Sequence, residues 1–132
     1  MSFVNVLGVV ALGFVGLVVL MQVWLRLRVR RITGKPLPSL PGRTGEHISA
    51  APHALIYFFS PSCAACRAIT PVVRALPGQG KTVFAVDVMQ DLPLAQAFQV
   101  MATPSAVEVE KGVIVGYHVG PIPPAVLERF AR

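Results

Sequence analysis

The sequence predicts an α/β domain, in which helices flank a mixed β-sheet, preceded by one transmembrane helix. Three observations lead to this fold class. The N-terminal stretch is apolar and uncharged, strand-like and helix-like segments alternate after residue 53, and the last two strand-like segments are separated only by a two-residue turn. Strands joined through a helix favour parallel pairing, whereas a tight turn requires antiparallel pairing, so the sheet is mixed. The length of 132 residues accommodates one such domain.

The N-terminal stretch, residues 3–25, consists almost entirely of apolar side chains, and no charged residue precedes position 26. As a helix it would be about 35 Å long, which is enough to cross a hydrocarbon core of about 30 Å. A cleaved signal peptide would need a basic start and a small-residue cleavage site, and the sequence has neither. We therefore predict that residues 1–25 form an uncleaved anchor that contacts the lipid bilayer through residues 3–25.

Positive charge is concentrated directly after this stretch. Residues 1–49 contain six basic side chains against one acidic side chain, whereas residues 50–132 contain six against five. The basic residues beside the anchor are Arg26, Arg28, Arg30, Arg31 and Lys35. Such residues fix membrane topology and contact anionic head groups, so we predict no nucleic-acid binding. Their bias toward the cytoplasmic flank of a span would place the rest of the chain in the cytoplasm.

The segment 33–52 contains four prolines and three glycines and shows no apolar periodicity. This composition is typical of a semi-extended tether rather than a packed element. The predicted organisation is therefore an anchor over residues 1–25, a basic juxtamembrane segment and linker over residues 26–50, and a folded domain over residues 51–132.

The elements of the folded domain follow from apolar runs and the residues that interrupt them. Residues 54–59 (ALIYFF) form a continuous apolar run, as expected for a strand buried on both faces. Ser62 is a suitable N-cap for a helix over residues 63–76, which Pro77 and Gly78 would end. The remaining runs predict, in order, a strand over 81–88, a helix over 92–99, strands over 105–110 and 113–119, and a helix over 123–132.

Cys63 and Cys66 lie where the first strand passes into a helix. A helix N-terminus carries partial positive charge and free N–H groups, which stabilise a thiolate, and a spacing of three places the second sulfur on the same helical face. This pattern predicts thiol–disulfide exchange with no cofactor and no metal. Cys63 would attack a partner disulfide, and Cys66, within disulfide reach of Cys63, would release the mixed disulfide. The alternatives are two buried apolar side chains, or half of a metal site completed by His47, His53 or His118.

Residues 54–131 resemble the thioredoxin superfamily. The similarity includes the cysteine pair in its strand–helix context, a proline in the following helix, the VDV of the second strand, a Thr-Pro dipeptide and a Lys-Gly hairpin turn; these are Cys63, Cys66, Pro71, Asp87, Thr103, Pro104, Lys111 and Gly112. The resemblance implies a thioredoxin-like fold and a thiol–disulfide oxidoreductase that acts on a protein partner. It further implies that the Thr103–Pro104 bond is cis, and that both residues shape the groove for the partner.

Within this superfamily, FFSPSCAAC and ATPSAV are similar to membrane-anchored thioredoxin-like proteins of methylamine-utilisation clusters, and more loosely to cytochrome-maturation thioredoxins. Those proteins mostly work outside the cytoplasmic membrane, which opposes the side that the basic residues favour.

Three features depart from the thioredoxin pattern. Ser62 stands where thioredoxins have tryptophan, Ala64 and Ala65 stand where they have Gly-Pro, and Tyr57 stands where they have a buried acid. A missing proton acceptor favours a partner-specific oxidoreductase over a general one. The alternative function is a binding module on a degenerate thioredoxin fold, held at the membrane without redox turnover.

Overall fold

The computed structural model describes residues 2–132, which separate into two compact units. The first unit ends at Ile32 and the second spans Thr33–Arg132. The first contains one helix, α1 (Phe3–Ile32), whose apolar side chains are largely exposed. This helix is long and apolar enough to cross a membrane. It continues beyond residue 25 to Ile32, and Arg30 and Arg31 in its last turn interact favourably with the negative end of the helix dipole.

The second unit contains one four-stranded sheet, which confirms the predicted mixed architecture. Its strands are β1 (His53–Phe59), β2 (Val83–Asp87), β3 (Ser105–Glu110) and β4 (Val113–Val119). They lie in the order β2-β1-β3-β4, with β1 and β2 parallel and the other neighbours antiparallel. The five inner residues of β1 are all buried, as expected for the central strand of a sheet covered on both faces.

Four helices belong to this unit: α2 (Gly42–Ala50), α3 (Cys66–Ala75), α4 (Leu92–Ala97) and α5 (Pro124–Ala131). The predicted order β-α-β-α-β-β-α is confirmed from β1 onward. On one face of the sheet, Leu55 and Tyr57 of β1 share a core with Val73 of α3 and Phe130 of α5. On the other side, the ring of Phe58 lies 5.5 Å from that of Phe98, which follows α4.

The extended tether predicted over residues 33–52 is wrong for residues 42–50, which form α2. Ile48 is completely buried, and Gly45 lies so close to Leu40 that a Cβ at Gly45 would be 2.7 Å from the Leu40 Cβ. Ser49 Oγ also donates a hydrogen bond to the Gly45 carbonyl, 2.9 Å away. Burial of one isoleucine and close packing at one glycine therefore outweigh the low helix propensity of the segment.

The residues just before α2 also take part in the fold. The Gly34 N–H donates to the Ile114 carbonyl over 2.7 Å, and the Ile114 N–H donates to the Lys35 carbonyl over 3.0 Å. Pro36 pairs with Val113 in the same antiparallel sense. A short piece of this segment thus covers the start of β4, at one outer edge of the sheet.

Candidate active site

The cysteines lie in the turn between β1 and α3. β1 ends at Phe59, and the Cys63 N–H donates to the Ser60 carbonyl over 3.1 Å, which closes the turn. A disulfide joins Cys63 and Cys66, whose Cα atoms are 5.3 Å apart. Cys63 is partly exposed, whereas Cys66 is only 2% exposed. A partner molecule therefore reaches the sulfur of Cys63 before that of Cys66.

The start of α3 differs from the prediction. The helix begins at Cys66 instead of Cys63, and the residue before it, Ala65, provides no side-chain cap. Ser62 does not cap the helix, since it lies four residues before the first helical residue; its Oγ is 3.0 Å from Ser60 Oγ. The first amide of the helix points at sulfur instead: the Cys66 N–H donates to Cys63 Sγ over 3.2 Å. Free N–H groups and the positive end of the helix dipole are therefore available to stabilise a thiolate at Cys63.

An open depression, here called the cysteine groove, surrounds the disulfide and has a volume of about 790 Å³. Besides the two cysteines and the turn residues Ser60 and Pro61, its walls come from β1, α3, β2 and the loop after β2: Phe59, Arg67, Thr70, Pro71, Arg74, Ala85, Asp87 and Gln90. The Arg74 guanidinium lies over the ring of Phe59, 5.4 Å from its centroid, which is a cation–π contact. Two arginines against one aspartate give these walls a positive balance. The spacing of the sequence motifs did not indicate either arginine.

A second, smaller depression adjoins Ser60 and contains Thr103 in its wall, together with Val88, Leu92 and Met101. The Thr103–Pro104 bond is cis, as the resemblance implied, and Pro104 is buried. Hydrogen bonds fix this loop, because Ser105 Oγ donates to the Ala102 carbonyl over 2.5 Å and the Gly120 N–H donates to the Pro104 carbonyl over 2.8 Å. Ser60 borders both depressions, so the cysteine turn and the Thr103 loop are neighbours. Leu92 and Met101 are exposed apolar side chains that sequence reasoning missed.

Tyr57 is completely buried, and its hydroxyl lies 2.9 Å from Thr70 Oγ1. Burial raises the pKa of the Tyr57 phenol, and this effect outweighs the opposing influence of the Thr70 hydrogen bond and the Arg74 charge. The phenol is therefore protonated at neutral pH and cannot accept a proton from Cys66.

The three histidines lie in different surroundings. His47 is exposed on α2, His53 stacks on Phe130 with ring centroids 4.3 Å apart, and His118 bonds with Glu108. Within residues 2–132, no three side chains of the metal-ligating types form a cluster. The histidines therefore do not approach the cysteines as a shared set of ligands.

Sequence reasoning also missed a buried carboxylate. Glu108 is 4% exposed, and its two oxygens contact His118 Nε2 at 2.9 Å and an Arg129 guanidinium nitrogen at 2.5 Å. Burial would raise the pKa of Glu108, but the hydrogen bonds and positive charge from Arg129 and His118 lower it overall. Strand alternation could have indicated the burial of Glu108, because Glu108 falls on the same face of β3 as the core residue Ala106. Through these contacts Glu108 links β3 to β4 and α5, and in the sheet register it pairs with Leu55 of β1.

Comparison with known families gives a result consistent with this geometry. The thioredoxin family model matches residues 45–132. The chain belongs to the thioredoxin family. The match begins within α2, six residues before the boundary predicted at residue 51.

Solved thioredoxin structures are similar to this thioredoxin domain. A mutant thioredoxin from Halobacterium salinarum is 26% identical with a TM-score of 0.57, and the match covers 74% of this chain and 93% of that chain. Thioredoxin from Fasciola hepatica is 27% identical with a TM-score of 0.53, covering 62% and 81%. Oxidized mitochondrial thioredoxin 3 from Saccharomyces cerevisiae, at 22% identity and a TM-score of 0.53, covers 64% and 82% and supports the fold alone. A search of curated protein sequences gave no significant match.

Proposed function

We propose that this chain is a membrane-tethered thiol–disulfide oxidoreductase that exchanges disulfides with a protein partner through Cys63 and Cys66. One observation carries the proposal: the partly exposed Cys63, in the turn before α3, forms a disulfide with the buried Cys66 at the start of that helix. Membership of the thioredoxin family supports the same chemistry. Thr103 and Pro104 would shape the partner groove beside the cysteines, and the reaction would need neither a metal nor an organic cofactor.

In the reduced protein, the Cys63 thiolate attacks one sulfur of the partner disulfide. A bond forms between Cys63 Sγ and that sulfur, the partner S–S bond breaks, and the other partner sulfur leaves as a thiolate. Cys66 then loses its proton and attacks Cys63 Sγ, which restores the Cys63–Cys66 disulfide and releases the second partner thiolate. The partner gains two electrons and this chain loses two. The same steps in reverse oxidise a partner dithiol.

The proton on Cys66 requires an acceptor other than Tyr57, whose phenol is protonated at neutral pH. Water in the cysteine groove, which is open to solvent, is one such acceptor. The lack of a buried acid to take this proton favours a partner-specific enzyme over a general reductase.

The tether in this proposal is α1, with residues 3–25 in the bilayer. Its length, its apolar composition and the exposure of its apolar side chains support this assignment. The similarity of FFSPSCAAC and ATPSAV to membrane-anchored thioredoxin-like proteins of methylamine-utilisation clusters also supports it.

The test is to trap the mixed disulfide in membranes. The full chain carrying Cys66→Ala should accumulate a partner joined through Cys63, because the thiol that resolves the intermediate is gone. The matched control is the double variant C63A/C66A, which should accumulate none. The proposal would be overturned if no partner is trapped and both thiols of the reduced, unsubstituted chain are unreactive toward alkylating reagents.

A further inference from the structure

β2 forms one outer edge of the sheet, at the end opposite β4. Successive residues of a strand direct their backbone N–H and C=O groups to alternate sides. The Thr82 carbonyl accepts from the Leu55 N–H over 2.8 Å, and the Val88 N–H donates to the Phe59 carbonyl over 3.0 Å, so the even-numbered residues face β1. The backbone groups of Val83, Ala85 and Asp87 therefore face outward.

Only part of this outer edge has backbone partners within residues 2–132. At Val83 the N–H donates to the Gly78 carbonyl over 3.0 Å, and the carbonyl accepts from the Gly80 N–H over 2.9 Å. At Asp87 the carbonyl accepts from the Gln90 and Asp91 N–H groups. The outward N–H and C=O of Ala85 and the outward N–H of Asp87 have no such partner in the described part of the chain. These three groups form a short open edge.

The extended segment before α2 pairs with the opposite edge of the sheet. Gly34, Lys35 and Leu37 form backbone hydrogen bonds at the β4 edge, with Ile114 and Gly112, and not at β2. The open edge of β2 is therefore able to accept a strand from another molecule.

The open edge and the reactive cysteine border the same depression. Ala85 and Asp87 line the cysteine groove together with Cys63, Arg67 and Arg74. Ala85 contributes only a methyl group there, so a peptide backbone can approach the edge closely. Asp87 Oδ1 already accepts the Met89 N–H at 2.9 Å, whereas Arg67 and Arg74 are exposed and give the groove its positive balance.

We propose that an extended, acidic segment of the partner protein adds to β2 as a further strand at Ala85 and Asp87 and thereby presents its cysteine to Cys63. Backbone hydrogen bonds to the open edge position the segment, and acidic side chains of the segment bind Arg67 and Arg74. This inference rests on the proposed function and specifies how its protein partner is bound.

The first experiment measures strand addition directly. The full chain carrying Cys66→Ala, reduced and in detergent micelles, is mixed with a synthetic peptide of alternating Glu and Val around one cysteine, supplied as its disulfide-linked dimer. Cys63 attacks one peptide sulfur, a mixed disulfide forms, and the second peptide leaves as a thiolate. In this adduct, exchange of the Ala85 and Asp87 amide hydrogens, followed by NMR, should slow by about tenfold or more.

Peptide chemistry supplies the matched control. Methylating the peptide amides that face β2 should lower the rate of mixed-disulfide formation about tenfold, whereas methylating the alternate amides should leave the rate unchanged, because only the first set loses hydrogen bonds to the edge. A peptide with Lys in place of Glu should react more slowly, and the double variant R67Q/R74Q should abolish that difference. The exposed residue Arg132 serves as the charge control, since R132Q should preserve the preference.

A substitution in the protein tests the same edge. Ala85→Pro removes the outward N–H at an edge position, which a sheet tolerates. It should lower the rate with the peptide disulfide about tenfold relative to the rate with a small disulfide, bis(2-hydroxyethyl) disulfide, which makes no backbone hydrogen bonds. If A85P does not fold, the methylated peptides still test strand addition with a protein in which Ala85 is unchanged.

Failure of this inference differs from failure of the proposed function. If the mixed disulfide forms but Ala85 and Asp87 exchange as fast as before, strand addition is wrong while the redox function stands. If no mixed disulfide forms with any peptide, the redox function itself fails. If Ala85 becomes protected without peptide as the protein concentration rises, the occupant is a second copy of this chain, and the assignment to a partner segment is overturned.

Discussion

At the scale of single residues, the main feature of the site is the difference between its two sulfurs. Cys63 is partly exposed and its Sγ accepts the first amide of α3, whereas Cys66 is almost completely buried. The motif spacing was sufficient to predict which residues would meet. It could not predict that Cys63 precedes the helix, because the turn that the Cys63 N–H closes onto the Ser60 carbonyl is not encoded by the spacing of the cysteines.

This geometry predicts a lowered pKa for the Cys63 thiol. In the full chain carrying Cys66→Ala, the rate of alkylation by iodoacetamide should titrate clearly below the ordinary cysteine pKa of about 8.5, since the N-terminal amides of α3 stabilise the thiolate. The control is Cys63→Ala, in which the buried Cys66 should react far more slowly at every pH. Titration of Cys63 near 8.5 would instead support the binding module without redox turnover.

Glu108 predicts a pH dependence of stability. Its folded pKa is lowered by Arg129 and His118, so it contributes stability above its unfolded pKa of about 4.3, and this contribution is lost as the pH falls through the folded pKa. Glu108→Gln should lower the free energy of unfolding at pH 7 by about 1 to 2 kcal/mol, because Arg129 loses a charged partner. The effect is limited to this size because Arg129 is half exposed. The decrease in the free energy of unfolding at acidic pH should also be smaller in this variant.

The measurement is urea unfolding of the detergent-solubilised chain between neutral and acidic pH. Glu110→Gln, at an exposed position of the same strand, provides the control and should change little. Equal acid sensitivity of E108Q and the unsubstituted chain would contradict this role for Glu108.

At the scale of elements, the strands follow closely from the sequence and the segment before them does not. Apolar runs and turn residues predict β1 to β4 well, because the pattern of buried residues in each strand is visible within a short run of sequence. α2 was missed because its packing depends on one buried residue, Ile48, within a segment rich in glycine. The pairing of residues 34–37 with β4 is a long-range contact that no local pattern encodes.

Ile48 tests whether α2 is part of the folded unit. Ile48→Ala should lower the free energy of unfolding by about 2 to 4 kcal/mol, because the side chain is completely buried and its removal leaves a cavity. His47→Ala, at the exposed neighbouring position, should have an effect below about 0.5 kcal/mol. Urea unfolding followed by circular dichroism compares the two. An equally small effect of I48A would show that residues 42–50 behave as the tether first predicted.

At the scale of the whole molecule, the chain consists of an apolar helix with a basic C-terminal end, followed in sequence by a nearly neutral thioredoxin domain. The fold class was predictable because hydropathy and alternation extend over long stretches of sequence. The side of the membrane on which the proposed tether would hold the domain was not predictable, because the basic residues and the family resemblance indicate opposite compartments. For a tethered chain, that side determines the redox environment of Cys63 and Cys66.

Charge bias alone predicts a cytoplasmic domain. A green fluorescent protein fused after Arg132 should then fluoresce, and alkaline phosphatase at the same place should be inactive, because basic residues after a span are retained in the cytoplasm. Substituting Arg26, Arg28, Arg30 and Arg31 with Gln should weaken this preference. Active phosphatase in the unsubstituted chain would show that the family resemblance, and not the charge, indicates the correct side.

The burial of Cys66 also sets the labelling stoichiometry of the native protein. Once reduced, a folded molecule offers a thiol-selective dye one sulfur promptly, at Cys63, and withholds the other until the chain opens. The amount of dye taken up per chain therefore reports folding without any spectroscopic signal from the protein. One equivalent marks the native fold and two mark its loss, so a gel of the dye-treated protein can count intact molecules.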